Sequence, residues 1–408
     1  MLDPARILQR CDALARHSEL SGGLTRVFLS REARAATDQV LAWMREAGMD
    51  AKLDAIGNAA ARYEGERPGL PCLMLGSHLD TVRDAGKYDG MLGVISAIEC
   101  VHALHSRKKR LPFAIEVIGF GDEEGVRFGT TLLGSRAIAG IFDRKALDAA
   151  DATGKSMAAA LEEFGLPTRR IPEVARKRGE VLAYAELHIE QGPVLEAEGL
   201  PVGVVTAING FSRLRVTLRG AAGHAGTVPM KLRRDALAGA ADCVLAVEKT
   251  ARGHPELVGT VGRIEAKPGA INVIPGEVAF SVDVRAPEDG LRNRALATIR
   301  SQIEKIAAER RLDCELETLQ EFGVTACAPR LMRQMDRAVE RQGYRVRRLP
   351  SGAGHDGMAL AAITDICMLF VRCKGGISHN PLESITEQDA AAGAKVLCDF
   401  IEHFELSA

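Results

Sequence analysis

Residues 73–120 read LMLGSHLDTVRDAGKYDGMLGVISAIECVHALHSRKKRLPFAIEVIGF, and this stretch decides the fold. Leu73–Leu75 and Phe113–Phe120 are short apolar runs, each followed by glycine, and read as buried strands. Residues 91–108 between them read as a helix. Strand, helix, strand is the unit of a parallel sheet covered by helices. Outward from it, residues 4–17 and 31–47 carry helical periodicity, the second with Ser30 placed as its N-cap. Val202–Thr206 reads as another buried strand.

The texture changes near Asn209. Leu214–Leu218 alternates as a half-exposed strand does. A helix over 230–250, strand-like runs Val258–Ile264 and Glu277–Arg285, a helix over 288–310 and a further alternating run Leu312–Leu319 follow. After residue 325 the pattern returns to helix, strand (Ile366–Val371) and a last helix from Glu387. The expected architecture is a discontinuous α/β catalytic domain, 1–209 and 326–408, with a central, mostly parallel sheet flanked by helices. It is interrupted at 210–325 by an α+β domain of two helices on a four-stranded antiparallel sheet.

The 408 residues are 46% hydrophobic and 26% charged, with net charge −1. That balance gives no electrostatic case for nucleic acid or an anionic membrane. No apolar run reaches the roughly 20 residues of a membrane span. The N-terminal stretch reads as an amphipathic helix carrying acids, without the pattern of a signal peptide. Nine cysteines without a CxxC pair read as buried thiols, and the expected location is cytoplasmic.

The chemistry lies where strands end. His78 closes a strand, with Asp80 two residues on, where its carboxylate can orient the ring. Asp89 precedes a helix, where it is either a ligand or an N-cap. Glu123 and Glu124 leave the next strand, His188 follows an apolar run in HIEQGP, and His379 sits in the Gly-rich GGISHNPLES before the last helix. Together they offer nitrogens and carboxylates to divalent cations, with a carboxylate left over to take a proton from water. His102 and His105 share a helix face but have no acidic partner in the pattern.

GSHLDTV, KYDGMLG, GDEEGVRF, HIEQGP, GHAGTVPMKLRRDA, INVIP and GGISHNP occur in order between about residues 20 and 400. In these motifs the chain resembles the M20 metallopeptidase superfamily, within it the hydantoinase/carbamoylase branch: N-carbamoyl-L-amino-acid hydrolases, β-ureidopropionases and allantoate amidohydrolases. His188 stands where many M20 peptidases carry aspartate, so the resemblance favours amidases of ureido acids over peptide cleavage. It implies two divalent ions per subunit (Zn or Mn, with Co or Ni also acceptable), bridged by Asp89. His78 and His188 would complete one site, Glu124 and His379 the other, and Glu123 would be the general base. It further implies substrate contacts at Gln191, His224, Asn272, Arg285 and His355, with His224 stabilising an oxyanion and Arg285 binding a carboxylate. The inserted domain would form a homodimer and act as a lid, with His224 and Asn272 reaching the partner subunit's site. Gly357, Arg372 and Cys373 depart from the family pattern and are expected at the edge of the substrate pocket. The expected activity is hydrolysis of a ureido group, with allantoate the first substrate and N-carbamoyl-L-amino acids or N-carbamoyl-β-alanine next. The rivals are an M20 peptidase or aminoacylase, and a non-catalytic small-molecule binding protein on the same fold.

Overall fold

A computed structural model describes residues 2–406. The chain divides into two compact units. One holds the residues up to Thr206, Ala326–Leu349 and those from Ala353 on; the other holds Ala207–Thr325 with Pro350–Gly352. The sequence alone leaves Pro350–Gly352 in the catalytic unit. They pack with the inserted one because Ser351 and Gly352 present their carbonyls to Asn209 N at 2.9 Å and Arg285 Nη1 at 2.7 Å.

The first unit is built on a nine-stranded sheet. Its spatial order is Asp50–Leu53, Ala59–Tyr63, Ala114–Phe120, Cys72–His78, Val181–Ile189, Ile366–Val371, Val202–Ile208 and Thr325–Ala326, with Arg348–Ser351 also pairing Val202–Ile208. The four central strands, Ala114–Phe120 through Ile366–Val371, are parallel, and the flanking ones turn antiparallel. Cys72–His78 and Ala114–Phe120 are buried at every residue, as strands covered on both faces must be. Helix Met91–Ser106 links them. It is buried without interruption from Met91 to Val101, which explains why its sequence is apolar all round. Its Val94 and Ile98 share one core with Ile7 of the first helix and Val396 and Leu397 of the last. Ser30 Oγ accepts the Ala33 N–H at 3.0 Å and starts helix Arg31–Glu46 as an N-cap. All nine cysteines are free thiols and eight are buried. No helix among the described residues is long and apolar enough to cross a membrane.

The second unit carries an antiparallel sheet ordered Ile264–Lys267, Glu277–Ala286, Gly210–Arg219, Asp313–Phe322, with short Val258–Thr260 also pairing Glu277–Ala286. Five strands thus replace the expected four. The run Val258–Ile264 breaks in two because residues 261–263 leave the ladder, Arg263 N turning to Ser281 Oγ at 3.1 Å. Glu277–Ala286 alternates half-buried and buried along its length. Its Val278, Phe280, Val282 and Val284 face a core shared with Ala240, Cys243 and Val247 of helix Ala236–Arg252 and Ile299 and Ile303 of helix Asp289–Glu309. A separate two-stranded ribbon pairs Gly223–His224 with Val273–Ile274.

Candidate metal centre

The carboxyl ends of three neighbouring parallel strands bring the first residues together. His78 is the last residue of its strand and pairs in register with Phe120, three positions before Glu123. His188 lies one residue from the end of Val181–Ile189, on the other side of His78's strand. Open α/β sheets place their sites at this edge. Asp89 comes from the loop entering helix Met91–Ser106, and His379 from the loop before helix Glu387–Glu402.

Asp89 stands at the centre. Its Oδ1 lies 3.4 Å from His78 Nε2 and 3.1 Å from His188 Nε2. Its Oδ2 lies 3.3 Å from His379 Nε2, which is itself 3.3 Å from Glu124 Oε1. One carboxylate therefore faces two donor sets, one on each oxygen. Asp89 does not cap the helix it precedes; the N-cap is Gly90, which makes no side-chain capping bond.

The tautomers show what the cluster is built to hold. His78 Nδ1 is 2.9 Å from the Asp80 carbonyl and His188 Nδ1 2.9 Å from the Ile189 carbonyl, so each Nδ1 is the donor. In a neutral ring Nε2 then carries the lone pair. Both Nε2 atoms face Asp89 Oδ1, a buried oxygen with no hydrogen-bond partner among the described residues, and His188 Nε2 also accepts the Gly90 N–H at 3.2 Å. Lone pairs against a carboxylate need positive charge between them, from protons or from cations. Without a cation, burial disfavours charge on His78 and His188, yet the surrounding carboxylates together outweigh it and raise both: Asp89 with Glu123 and Asp80 at His78, Asp89 with Glu186 at His188. Asp89 and Glu124 raise His379 to about 10. The residues fit a pair of divalent ions: a His–His–carboxylate set and a His–carboxylate–carboxylate set, with Asp89 common to both.

Asp80 departs from expectation. Its carboxylate is 3.9 Å from His78 Nδ1, and its own backbone carbonyl orients the ring instead. The carboxylate turns to the next strand's exit, where Oδ1 accepts the Glu123 N–H at 3.0 Å and Oδ2 the Glu124 N–H at 3.1 Å. The peptide geometry explains the exchange: two residues past His78 the chain has turned, and the carbonyl is nearer than the side chain. Glu123 itself is buried, and burial followed by repulsion from Glu124 and Asp356 raises its carboxyl well above the ordinary range, against an opposing pull from His78.

The remaining expected residues fall as follows. Gln191 Nε2 donates to Asp89 Oδ2 at 2.9 Å and to Ser378 Oγ at 3.2 Å, so its amide steadies the shared carboxylate. His355 is 1% exposed and lies edge-on to the His188 ring at 4.6 Å, with burial and then His188 pushing its pKa well below the usual value. Arg285 forks onto Asp283, Nε to Oδ1 at 2.8 Å and Nη2 to Oδ2 at 3.0 Å, and stands over Phe211. His224 and Asn272 are exposed neighbours on the ribbon, where Ala225 N donates to the Asn272 carbonyl at 3.0 Å. Arg372 pairs with Asp389 at 2.7 Å, Cys373 is fully buried beside Gly192, and Gly357 is buried at the start of a short helix. Sequence reasoning missed Ser378 and Glu383, both in the GGISHNPLES stretch. Ser378 Oγ donates to Asp89 Oδ2 at 2.6 Å, and Glu383 Oε1 accepts from the Tyr88 and Asp89 N–H groups.

Nitrogen and oxygen donors in two sets that share one carboxylate, with a buried glutamate beside them at the edge of an α/β sheet, define the class of metal-dependent hydrolases. The sequence pattern of peptidase family M20/M25/M40 matches residues 74–403. The chain is 44% identical over 398 residues to an N-carbamoyl-L-amino acid amidohydrolase of Geobacillus stearothermophilus, covering 97% of each. It is 40% identical over 422 residues to allantoate deiminase 1 of Glycine max, covering 96% of this chain and 87% of the other. A crystal structure of a hydantoinase/carbamoylase family amidase from Burkholderia multivorans superposes with a TM-score of 0.92 at 35% identity, covering 98% of this chain and 97% of that one. The chain belongs to peptidase family M20/M25/M40, among its hydantoinase/carbamoylase amidases, and enzymes of this family are metal-dependent.

Proposed function

We propose that the protein hydrolyses the ureido carbon–nitrogen bond of a small carboxylate-bearing substrate, releasing ammonia and carbon dioxide, with allantoate the first candidate and N-carbamoyl-L-amino acids the second. It is an amidohydrolase acting on non-peptide carbon–nitrogen bonds, as its relatives are. The observation that carries the reading is Asp89, each of whose oxygens faces a different donor set, with the buried Glu123 grouped beside them with His78 and Glu124.

Two divalent cations, when bound, supply Lewis acidity that makes water nucleophilic near neutral pH. His78, His188 and Asp89 would hold one; Asp89, Glu124 and His379 the other. Glu123 takes the proton of the attacking water. Its buried carboxyl, with an affinity for protons above the ordinary range, then hands that proton to the leaving nitrogen. Two adjacent glutamates divide the labour, because Glu124 is occupied by His379. Arg285 would anchor the substrate carboxylate through the guanidinium hydrogens that Asp283 and the Gly352 carbonyl leave free, and Arg285→Ala should raise KM steeply. In a homodimer with the ribbon near the partner's site, His224 and Asn272 would complete the pocket. His188 is an imidazole where a peptidase would carry a carboxylate, which favours ureido acids over peptides.

The test is ammonia release from allantoate, N-carbamoyl-β-alanine and several N-carbamoyl-L-amino acids, with Mn and Zn compared and dipeptides and N-acetyl amino acids run alongside. Turnover confined to dipeptides or N-acetyl substrates would overturn the ureido reading. Glu123→Gln should keep fold and metal while turnover falls by roughly 10²–10⁴; metal-loaded wild-type protein inert on every amide would leave a binding protein.

A further inference from the structure

Glu383 is a buried carboxylate that belongs to none of the donor sets, yet it reaches into the centre from the loop that carries His379. Its Oε1 accepts two successive backbone N–H groups, Tyr88 at 2.8 Å and Asp89 at 3.1 Å. Consecutive amides closing on one oxygen form an anion-binding nest, so the backbone of Asp89 is pinned to a side chain almost 300 residues away in the chain. The Asp89 carboxylate is held separately. Ser378 Oγ donates to Oδ2 at 2.6 Å and lies 3.3 Å from Glu383 Oε2, while Gln191 Nε2 donates to the same Oδ2 at 2.9 Å. All the bonds to the carboxylate fall on Oδ2, and Oδ1 is left to His78 and His188. Access for Glu383 depends on Gly86, where a Cβ would collide with the Glu383 side chain.

We infer that Glu383 is a positioning residue for the metal centre: it fixes the turn that presents Asp89, so that one carboxylate oxygen serves each donor set, and ties that turn to the His379 loop. The inference rests on the metal-dependent reading above. A carboxylate placed beside another carboxylate is unfavourable in a buried site unless hydrogen bonds compensate it. Here the two N–H bonds do so, and they act on the one ligand common to both sets. The same loop supplies His379, so a displaced Glu383 disturbs two of the three donors on that side.

The experiment titrates Zn²⁺ against a chromophoric chelator, with bound metal counted and folding followed by circular dichroism. The proteins are the wild type, Asp89→Asn, Glu383→Ala, Glu383→Gln and Gly86→Ala. Glu383→Ala should fold and bind Zn²⁺ roughly 10–100-fold more weakly, the range for losing a group that orients a ligand. Gly86→Ala, which displaces Glu383 without deleting it, should weaken binding in the same direction. Glu383→Gln should recover most of the affinity, because its amide oxygen still accepts both N–H groups. Wild-type affinity in folded Glu383→Ala, or a glutamine variant as weak as the alanine one, would overturn the role. Should the alanine variant not fold, wild-type affinity in Gly86→Ala would overturn it equally. If Asp89→Asn also binds like the wild type, it is the metal reading that fails, and the two failures are thereby told apart.

Discussion

Replacing Asp80 with alanine separates two roles that a single aspartate could play. Its carboxylate is 4% exposed and accepts the N–H groups of Glu123 and Glu124 at 3.0 and 3.1 Å. Alanine leaves both donors buried without an acceptor. Each orphaned group costs about 1–3 kcal/mol, more when the lost partner was charged, so Asp80→Ala should lose about 2–6 kcal/mol. Against a usual total of about 5–15 kcal/mol that is a large fraction. The peptide carrying both glutamates is no longer held, and turnover falls with it. His78 is a different matter. Its Nδ1 is oriented by the Asp80 carbonyl at 2.9 Å, which alanine retains, whereas the carboxylate is 3.9 Å away. Affinity on the His78 side should therefore fall less than turnover does. Asp80→Asn keeps one carbonyl acceptor but turns an NH₂ toward the other N–H, so it should be destabilised too. Urea unfolding, Zn²⁺ titration and ammonia-release kinetics on the same three proteins decide the matter. The reasoning is refuted if Asp80→Ala unfolds within about 0.5 kcal/mol of wild type, the range of a featureless surface change, while Zn²⁺ affinity collapses.

Three further outcomes follow from the same geometry. Asp89 and Glu124 raise His379 to about 10, and His78 and His188 are also raised; below these values the imidazoles must release protons before binding a cation. Zn²⁺ affinity should therefore climb with pH through the neutral range, and calorimetry in two buffers of different ionisation enthalpy should detect proton release, none being the adverse result. Gly90 has φ +78° and a Cβ there would lie 2.6 Å from the His78 ring, so Gly90→Ala should cost about 1–3 kcal/mol in backbone strain alone and lower bound metal, measured by melting temperature and metal content. Burial opposes ionisation of Glu402, but Arg107 and Lys109 outweigh it and lower its pKa from 4.5 to about 2. Its contribution to stability is full above the higher value and lost as pH falls toward the lower; Glu402→Gln should flatten that acid limb of urea stability, and an unchanged profile would dismiss the ion pair.

What the sequence made legible, and what it hid, follows from how far each interaction reaches. Leu73–Leu75, the all-apolar helix and Phe113–Phe120 announce a parallel unit because burial on every side leaves no polar face to encode. Asp50–Leu53 and Ala59–Tyr63 carry no such signal, since they are short and Lys52 and Arg62 interrupt their apolar character. The six clustered acids and histidines were legible as residue types, His78, Glu123, Glu124 and His188 at strand ends and Asp89 and His379 in loops that lead into helices. Their second neighbours were not. Asp80 looks like a partner for His78 because it is near in sequence, yet the parallel sheet sets the exit of the next strand beside it, and the carboxylate answers to Glu123 and Glu124. Glu383 carries no local signal that distinguishes it from a surface acid; only the fold closes the distance to Asp89.

Backbone conformation makes the same point in another way. Asp122, Gln191 and His379 have φ of +60°, +57° and +54°, a left-handed region that side chains other than glycine enter at a cost. Glycine would relieve each position, but the site uses the side chain at two of them: Gln191 donates to Asp89 and His379 offers Nε2 to it. At the third, Asp122 sets the turn from which Glu123 and Glu124 present their N–H groups to Asp80. Among the eight such non-glycine residues described, these three stand at Asp89 or next to Glu123, where a donor displaced by a fraction of an ångström is costly. Glycine would serve the backbone at all three turns, but at Gln191 and His379 it would remove the amide and the imidazole that reach Asp89.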